Sequence, residues 1–358
     1  MKLGAELITF ANMKIKRLYI NNYKSLVDFE LLEPNPFSVF VGPNAAGKSN
    51  VFEALEFLSY ADDFVRMDSL FGGANAYLNK QLQASFRENN NLKLHLDIEV
   101  KIDYLTFATR LDFAQNGNLF VPGYMSKDNR ETEKVGTATD LLKEGETASQ
   151  WFNRMFSRLF IQKSDLVKVR LKTPHKLALD AENLPLVLKK ILEDEDKMEE
   201  ILDWMSYLVP GFDSLEIKSD PFSGDAQLYV KEKGTDQFFP QHLLSDGTYN
   251  ILALLTAVYQ SDEPQFLCIE EPENGITPYV QRALVNFFRT ACEEKGHYIW
   301  LNTHSPTIVN ELEPKELILI DKVEGITKAK QLDPNLQFKT MKLDEAWLTN
   351  SLGGGLPW

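Results

Sequence analysis

The chain has 358 residues, of which 44% are hydrophobic and 25% are charged, an ordinary composition for a globular protein that buries a full core. Its net charge of −14 argues against indiscriminate coating of DNA, because cations that neutralise phosphates drive non-specific binding. No apolar run approaches the roughly 18 residues that span a bilayer, so we expect a cytoplasmic protein that does not enter a membrane.

The N-terminal part of the chain predicts paired strands. Residues 14–20 alternate between polar and apolar side chains, and residues 29–31 resume extended structure before Pro34 ends it. Residues 1–12 lack such a pattern, and we interpret Met13 as the natural start.

The next segment, residues 42–49, has the sequence GPNAAGKS and lies between a predicted buried strand, residues 37–41, and a predicted helix. This order of strand, glycine-rich loop and helix is typical of a phosphate-binding P-loop. In such a loop the backbone N–H groups face the β-phosphate, Lys48 reaches the β- and γ-phosphate oxygens, and Ser49 binds Mg²⁺. The predicted nucleotide-binding residues of this segment are Gly42, Asn44, Gly47, Lys48, Ser49 and Asn50.

The middle of the chain mixes predicted strands and helices. A polar segment, residues 117–146, is interpreted as a long loop or partly ordered insertion. Apolar residues three and four apart predict a helix over residues 151–160 and another from about 184 to 208. Strands are predicted over residues 92–100, 104–113, 215–218 and 227–230.

A concentration of basic residues lies between positions 154 and 176, where Asp165 is the single acid among them. An acidic protein holds DNA only where cations cluster, so this stretch is either a DNA-facing groove or a solvated face. DNA is therefore a candidate ligand. The seven basic residues are Arg154, Arg158, Lys163, Lys168, Arg170, Lys172 and Lys176.

Chemically reactive side chains follow two later predicted strands. Strand 266–269 runs into EEPENG, residues 270–275, where three carboxylates would repel one another unless a cation or phosphate chemistry uses them. Strand 298–301 brings NTHSP, residues 302–306, to the same sheet edge, which is where α/β sheets bind ligands. Upstream of both strands, Ser245 is a natural N-cap for an apolar helix.

Four segments, GPNAAGKS, LSDGT, FLCIEEPENG and NTHSP, occur in an order and spacing that resemble the ABC-type ATPase heads of the RecF, SMC and OLD group. The resemblance is closest to the compact bacterial ATPases of the AAA-21 class and covers roughly residues 13 to 325. It implies an α/β fold, namely a P-loop NTPase of ABC-ATPase type with an N-terminal β-subdomain, an α+β insertion and no long coiled coil. The implied cofactors are ATP and Mg²⁺.

The resemblance also implies roles for the residues at the sheet edge. Glu270 orients Mg²⁺ through water beside Ser49, Glu271 polarises the attacking water, and His304 contacts the γ-phosphate. Lys24 lies in an aromatic-basic-serine element, residues 23–25, and is a further candidate contact with the nucleotide.

The LSDGT segment is implied to act on a second subunit. By the resemblance, Ser245, Asp246 and Gly247 reach the γ-phosphate of ATP bound to the partner, so two chains form a homodimer around sandwiched ATP. The resemblance leaves open whether the dimers assemble into higher oligomers.

Three residues depart from the family pattern. Asp246 and Thr248 replace a glycine and a glutamine of the usual LSGGQ, and Glu270 stands where many members carry Asp. The first two leave the rate of hydrolysis open. The position of the family's Q-loop glutamine is also left open, and the candidates are Gln81, Gln83 and Gln162.

The motifs divide the chain into four expected parts. Residues 13–70 form the N-terminal half of the ATPase head, and 71–240 form a β and helical insertion or lid lobe. Residues 241–325 form the C-terminal half with the signature, Walker B and histidine motifs, and 326–358 form a C-terminal tail.

The leading hypothesis is a dimeric switch ATPase that senses DNA and controls a partner effector in bacterial antiphage defence. The short segment after His304 leaves no room for a nuclease domain in cis, so a nuclease-like effector is expected to be a separate protein. The alternatives are a RecF-like DNA-repair ATPase and a nucleotide-locked scaffold with little turnover. A transporter ATPase subunit is disfavoured because the segment between the P-loop and LSDGT is too long.

Overall fold

The computed structural model describes residues 13–60, 94–102, 105–113, 119–120, 124–127, 148–161, 175–219, 225–337 and 341–353. Within these ranges no helix combines the length and the apolar character that crossing a membrane requires. The described residues form two six-stranded sheets and one three-stranded sheet, and helices pack on the central six-stranded sheet, which contains the strands Phe37–Val41, Phe266–Glu270 and Tyr298–Asn302.

The strands are β1 (Met13–Asn21), β2 (Phe29–Leu32), β3 (Phe37–Val41), β4 (Leu94–Ile102), β5 (Leu105–Phe113), β6 (Leu119–Phe120), β7 (Tyr124–Lys127), β8 (Phe156–Phe160), β9 (Phe212–Ser219), β10 (Ala226–Glu232), β11 (Phe238–Pro240), β12 (Phe266–Glu270), β13 (Tyr298–Asn302), β14 (Leu317–Val323) and β15 (Ile326–Gln331). The α-helices are α1 (Lys48–Ser59), α2 (Ala148–Met155), α3 (Leu184–Ile191), α4 (Glu195–Leu208), α5 (Asp246–Tyr259), α6 (Pro278–Lys295), α7 (Pro306–Asn310) and α8 (Leu343–Leu348).

The central sheet has the strand order β15-β14-β3-β13-β12-β8. Strands β14, β3, β13, β12 and β8 are parallel, and β15 pairs antiparallel with β14 at one edge. Because the parallel strands share one direction, their carboxyl ends meet at one edge, which is where such sheets bind ligands. The P-loop follows β3 at this edge, and the EEPENG and NTHSP segments follow β12 and β13.

Both faces of the central sheet are buried, which explains the continuous apolar runs of β3, β12 and β13. Successive side chains of a strand point to opposite faces. In β12, Leu267 and Ile269 join the core beneath α5 and α6, whereas Phe266 and Cys268 join the core beneath α1 and β1. A second sheet, β2-β1-β4-β5-β6 with β7 on β5, and a third sheet, β11-β10-β9, flank this head.

The helix predicted over residues 151–160 is wrong in its second half. Helix α2 ends at Met155, and residues 156–160 form β8, the parallel neighbour of β12. The aromatic spacing satisfies a helical period, but residue 156 is buried by Phe152 and Phe266, and the ladder to β12 decides the conformation.

Two other sequence predictions need correction. The stretch from about 184 to 208 forms two helices, because the Asp194 side chain accepts hydrogen bonds from the N–H groups of Asp196 and Lys197 and starts α4 as an N-cap. The segment 117–146, interpreted as a long loop or partly ordered insertion, contains β6 and β7, which pair with β5, so the first alternative is wrong for those residues.

Both the expected insertion and the expected C-terminal tail contribute a strand to the central sheet. The boundary at residue 325 falls within the β14–β15 hairpin, so the expected tail begins with a strand of that sheet. Strand β8, inside the expected insertion, is the opposite edge strand.

Candidate nucleotide-binding site

The P-loop is held so tightly against the β14–β15 hairpin that two of its glycines admit no side chain. A Cβ at Gly42 would lie 2.0 Å from the carbonyl oxygen of Ile320. Gly47 has φ of +104°, and a Cβ there would lie 2.2 Å from Thr327 Oγ1. The close approach and the positive φ explain why both positions require glycine.

Thr327 and Ser25 support the P-loop from behind, a role that the sequence motifs do not indicate. Thr327 is fully buried, donates a hydrogen bond to the Ala46 carbonyl at 2.7 Å, and lies 2.7 Å from Ser25 Oγ. Asn50 at the start of α1 donates to the same Ser25 oxygen. Three segments far apart in the chain therefore set the shape of the loop.

Lys48, the first residue of α1, is almost fully buried, with 5% of its surface exposed. Its ammonium group donates to the carbonyl oxygens of Gly42 and Pro43 at 2.9 and 3.1 Å. Burial lowers the pKa of Lys48 to about 8, opposed by the charges of Glu271 and its neighbours. A desolvated cation inside the loop is suited to bind phosphate oxygens, which would replace the carbonyl contacts.

Ser49 and Glu270 meet across the edge of the sheet, and Asn302 lies beside them. Ser49 Oγ donates to Glu270 Oε2 at 2.5 Å, and Asn302 Nδ2 donates to the same carboxylate oxygen at 3.0 Å. A hydroxyl and a carboxylate are oxygen ligands of the kind that Mg²⁺ prefers, so these residues fit the ion. In the part of the chain that the structure describes, no three His, Cys, Asp or Glu side chains converge on a metal.

Glu271 follows β12 in a left-handed backbone conformation, with φ of +47°. Its N–H donates to the Asn302 carbonyl, and its Oε2 accepts a hydrogen bond from Asn274 Nδ2 at 3.1 Å. For a residue other than glycine this backbone is costly and is found where the surrounding structure holds it for function. The negative charge of Glu271 acts on Lys48 and raises its pKa, against the effect of burial.

His304 is tied to the segment after β12 by its main chain. Its N–H donates to Glu273 Oε1 at 2.8 Å, and burial raises the pKa of Glu273. The other oxygen, Glu273 Oε2, is buried without a hydrogen-bond partner among the described residues. Burial and the nearby charge of Lys48 lower the pKa of His304. The imidazole therefore lies at the P-loop in its neutral form at neutral pH.

The LSDGT segment begins α5, where Ser245 caps the helix by accepting a hydrogen bond from the Thr248 N–H at 3.1 Å. Ser245 and Asp246 are exposed, whereas a Cβ at Gly247 would lie 2.3 Å from the carbonyl oxygen of Gly275. On the next turn, Asn250 donates to the Asn274 carbonyl. Asn274 in turn contacts Glu271, so this segment connects mechanically to the Walker B end of β12.

The other residues predicted to contact the nucleotide are Lys24, Asn44 and the Q-loop glutamine. Lys24 has φ of +48° and forms an ion pair with Glu53 on α1. Asn44 is exposed at the tip of the P-loop. The three candidate Q-loop glutamines, Gln81, Gln83 and Gln162, lie outside the described residues.

The described part of the basic stretch does not face outward as a group. Arg158 is buried between Glu270 and Glu56, Arg154 pairs with Glu263, and Lys176 donates to main-chain carbonyls. The enclosed Arg158 fits neither a DNA-facing groove nor a solvated face, whereas Arg154 and Lys176 are partly exposed and both alternatives stay predictions for them. Lys163, Lys168, Arg170 and Lys172 lie outside the described residues.

Comparison with solved structures shows the fold. The chain is similar to an SMC head bound to the C-winged helix domain of ScpA, with a TM-score of 0.58 and 15% identity over 89% of this chain and 98% of that one. It is also similar to the SMC head with an extended coiled coil bound to the C-terminal domain of ScpA from Pyrococcus furiosus, with a TM-score of 0.55 and 13% identity over 90% and 97% of the two chains. The SMC head domain from Thermotoga maritima matches with a TM-score of 0.50 and 13% identity over 89% and 99%.

The fold and the site therefore define a P-loop ATPase head of ABC type, as the sequence resemblance predicts. A family profile described as "AAA domain, putative AbiEii toxin, Type IV TA system" matches residues 37–310, more than half of the chain. The chain belongs to this AAA-21 family. Comparison with curated proteins finds no match.

Proposed function

We propose that this chain binds and hydrolyses ATP as a homodimeric switch that controls a separate effector protein. The observation that carries the proposal is the meeting of Lys48, Ser49, Glu270 and Glu271 at one sheet edge, around a loop shaped for phosphate. Family membership as an AAA-type ATPase supports the same reaction.

Each residue has a role that its surroundings support. Backbone N–H groups of residues 43–48 and the Lys48 ammonium bind the β- and γ-phosphates, while Ser49 and Glu270 hold Mg²⁺, which neutralises phosphate charge when bound. Glu271 orients and polarises the attacking water, and the neutral His304 donates toward the γ-phosphate.

Dimer formation is supported by the exposed start of α5. The helix has 14 residues and presents its N-terminal dipole end and the Ser245–Asp246 pair on the surface. Such an end is suited to the γ-phosphate of a nucleotide on a second copy. Because this end attracts the γ-phosphate, we propose that the dimer forms on ATP binding. The Asp246 carboxylate opposes the attraction to phosphate, and we propose that turnover is slow for this reason.

The nature of the effector is a further part of the proposal. The SMC heads similar to this chain are described as bound to domains of ScpA, which supports a head of this fold acting through a partner protein. The family description names a toxin and a Type IV TA system, which supports a role in bacterial defence with a nuclease-like effector. DNA is a candidate trigger through the basic stretch.

The test is phosphate release from ATP with Mg²⁺ by the wild type and by Lys48→Ala, together with their melting temperatures. Lys48 is buried and donates to two loop carbonyls, so the melting temperature of each protein without ATP serves as its own baseline; relative to that baseline the variant should lose ATP-induced stabilisation, and it should also lose turnover. Saturation at about 100 times Kd stabilises a protein by about 2.7 kcal/mol, which is easily detected. Full ATP-induced stabilisation of the variant would exclude the P-loop as the nucleotide site.

A further inference from the structure

Arg158 lies on β8, whose backbone pairs in parallel register with β12 so that Arg158 stands opposite Cys268. Side chains two positions apart on a strand point to the same face, so Arg158, Cys268 and Glu270 share the face that packs against α1. Glu56 approaches from α1. The strand pairing thus places a guanidinium between two carboxylates.

The contacts are those of a bridging arginine. Arg158 Nε donates to Glu270 Oε1 at 2.6 Å, and Nη1 donates to Glu56 Oε2 at 2.7 Å. The Arg158 side chain is 9% exposed and the Glu270 side chain 3%. A planar guanidinium offers several donors in fixed directions and can hold two acceptors, which an ammonium group cannot do with the same geometry.

The two carboxylate oxygens of Glu270 accept hydrogen bonds from different residues. Oε1 faces Arg158, whereas Oε2 accepts hydrogen bonds from Ser49 and Asn302. Glu270 has one methylene more than the aspartate common at this position, which gives it the reach to contact β8 and the P-loop helix together. Arg158 therefore determines which way the carboxylate presents its second oxygen.

We propose that Arg158 is a positioning residue that holds Glu270 toward Ser49 and thereby sets the Mg²⁺ concentration at which ATP is bound productively. The inference rests on the proposed function, since it takes Ser49 and Glu270 as the Mg²⁺ residues. Arg158 itself touches neither nucleotide nor metal; it acts through Glu270.

Loss of the guanidinium acts on the Mg²⁺ requirement in two opposed ways: it leaves Glu270 less neutralised, which attracts Mg²⁺, and it releases the orientation of Glu270, and we expect the loss of orientation to prevail. In Arg158→Gln, Glu56 and Glu270 are left as neighbouring carboxylates with no cation between them, and like charges at such distances repel. Glu270 relieves the repulsion by turning away from Glu56 and from its present orientation, which moves Oε2 out of line with Ser49. Removing the second carboxylate as well, in Glu56→Gln with Arg158→Gln, removes the repulsion and should restore the orientation.

The experiment measures binding of a fluorescent ATP analogue to the full chain during Mg²⁺ titration, with melting temperatures recorded with ATP in EDTA and with ATP in Mg²⁺. For Arg158→Gln we expect a roughly tenfold higher Mg²⁺ concentration at half-saturation and a smaller gain in melting temperature from Mg²⁺. The double variant with Glu56→Gln should return toward the wild type. The matched control is Arg154→Gln on α2, which breaks an Arg–Glu pair with Glu263 in the loop before β12.

The outcomes separate the inference from the proposed function. If the wild type does not bind ATP in a Lys48-dependent way, the proposed function fails. If the wild type binds but Arg158→Gln has an unchanged or lower Mg²⁺ requirement, or shifts it no more than Arg154→Gln does, Arg158 is a structural residue and the inference is wrong. Failure of Glu56→Gln to rescue the requirement likewise overturns the repulsion argument. Because the readout is the metal-dependent difference, a general loss of stability does not imitate the expected result.

Discussion

Ser49 Oγ donates a 2.5 Å hydrogen bond to Glu270 Oε2, joining the first turn of α1 to the end of β12 across 221 residues of sequence. Asn302 bonds the same carboxylate oxygen from the end of β13. The start of α1 and the end of β12 thus already bring together the oxygen atoms proposed to hold Mg²⁺, with Asn302 at the end of β13 supporting them. A site arranged in this way needs little rearrangement on binding, which favours affinity.

The first prediction concerns Glu271→Gln, which keeps the shape of the side chain but removes the charge that polarises water. The variant should bind ATP, fail to hydrolyse it, and accumulate as a dimer with α5 of each copy facing the nucleotide of the other. Light scattering with ATP and Mg²⁺ at one protein concentration measures the mass. An identical mass with and without nucleotide would contradict ATP-driven dimerisation.

The second prediction concerns Gly47→Ala. A φ of +104° disfavours any side chain by on the order of 1–2 kcal/mol, and the added Cβ would also collide with Thr327 Oγ1 at 2.2 Å. Gly211 is a matched control, since it has φ of +94° and no atom within 4 Å of a Cβ. Gly47→Ala should therefore lower the melting temperature more than Gly211→Ala.

The same pair of variants shows whether ATP binding depends on the shape of the P-loop or is affected by any strained glycine substitution. Gly211 lies in the turn before β9 of the third sheet and not beside the β14–β15 hairpin that holds the P-loop, so Gly211→Ala should keep ATP-induced stabilisation. Gly47→Ala should lose it, because the loop must move off β15 to accept the methyl group. Equal stability losses and intact ATP binding in both variants would show that contact with Thr327 does not shape the loop.

The third prediction is a pH dependence of stability that originates in His297, away from the site. This side chain is buried, accepts a hydrogen bond from the Gln265 N–H at its Nδ1, and lies 3.2 Å from the Val258 carbonyl at its Nε2. Burial lowers its pKa from 6.5 to about 4. Its contribution to the free energy of unfolding is therefore fully present above pH 6.5 and declines as the pH falls, with the loss complete below about 4.

The expected loss is at most about 3.4 kcal/mol, from the 1.36 kcal/mol that accompanies each pKa unit. Urea unfolding across this pH range measures it. His297→Gln retains a donor and an acceptor but does not titrate, so its stability should depend less on pH than that of the wild type, while His242→Gln on the surface should behave like the wild type. Parallel pH profiles for wild type and His297→Gln would contradict the assignment.

The fourth prediction tests DNA binding by the basic residues that lie outside the described parts of the chain. If they contact phosphates, the logarithm of duplex affinity should fall with the logarithm of salt concentration by about 0.9 for each phosphate neutralised. The variant with Lys168→Gln, Arg170→Gln and Lys172→Gln should show a shallower slope with ATP and Mg²⁺ present. A control with Lys189→Gln, Lys218→Gln and Lys233→Gln removes three exposed cations elsewhere. Equal slopes in all three proteins would contradict DNA binding by these residues. A protein partner would then be the main candidate ligand.

The parts of the site that the sequence determines by itself are those encoded locally. Gly47, Lys48 and Ser49 are neighbours in the chain, flanked by an apolar strand and an amphipathic helix, so the phosphate loop is readable from one short segment. The same holds for Ser245 as a helix N-cap and for Glu270 and Glu271 at the end of a buried strand. The order of these segments along the chain is also sufficient to indicate the ABC-type head, which the similarity to SMC heads confirms.

The tertiary structure decided what depends on contacts between distant segments. Residues 156–160 have spacing that suits a helix, and only pairing with β12 makes them a strand that turns Arg158 inward onto Glu270. Likewise, nothing near Thr327 in the sequence indicates a phosphate site, yet its hydroxyl braces the loop at Ala46, 281 residues away. Propensity and periodicity act over a turn or two of chain, whereas these side chains take their roles from the sheet order, which brings β8 beside β12 and β15 behind the P-loop.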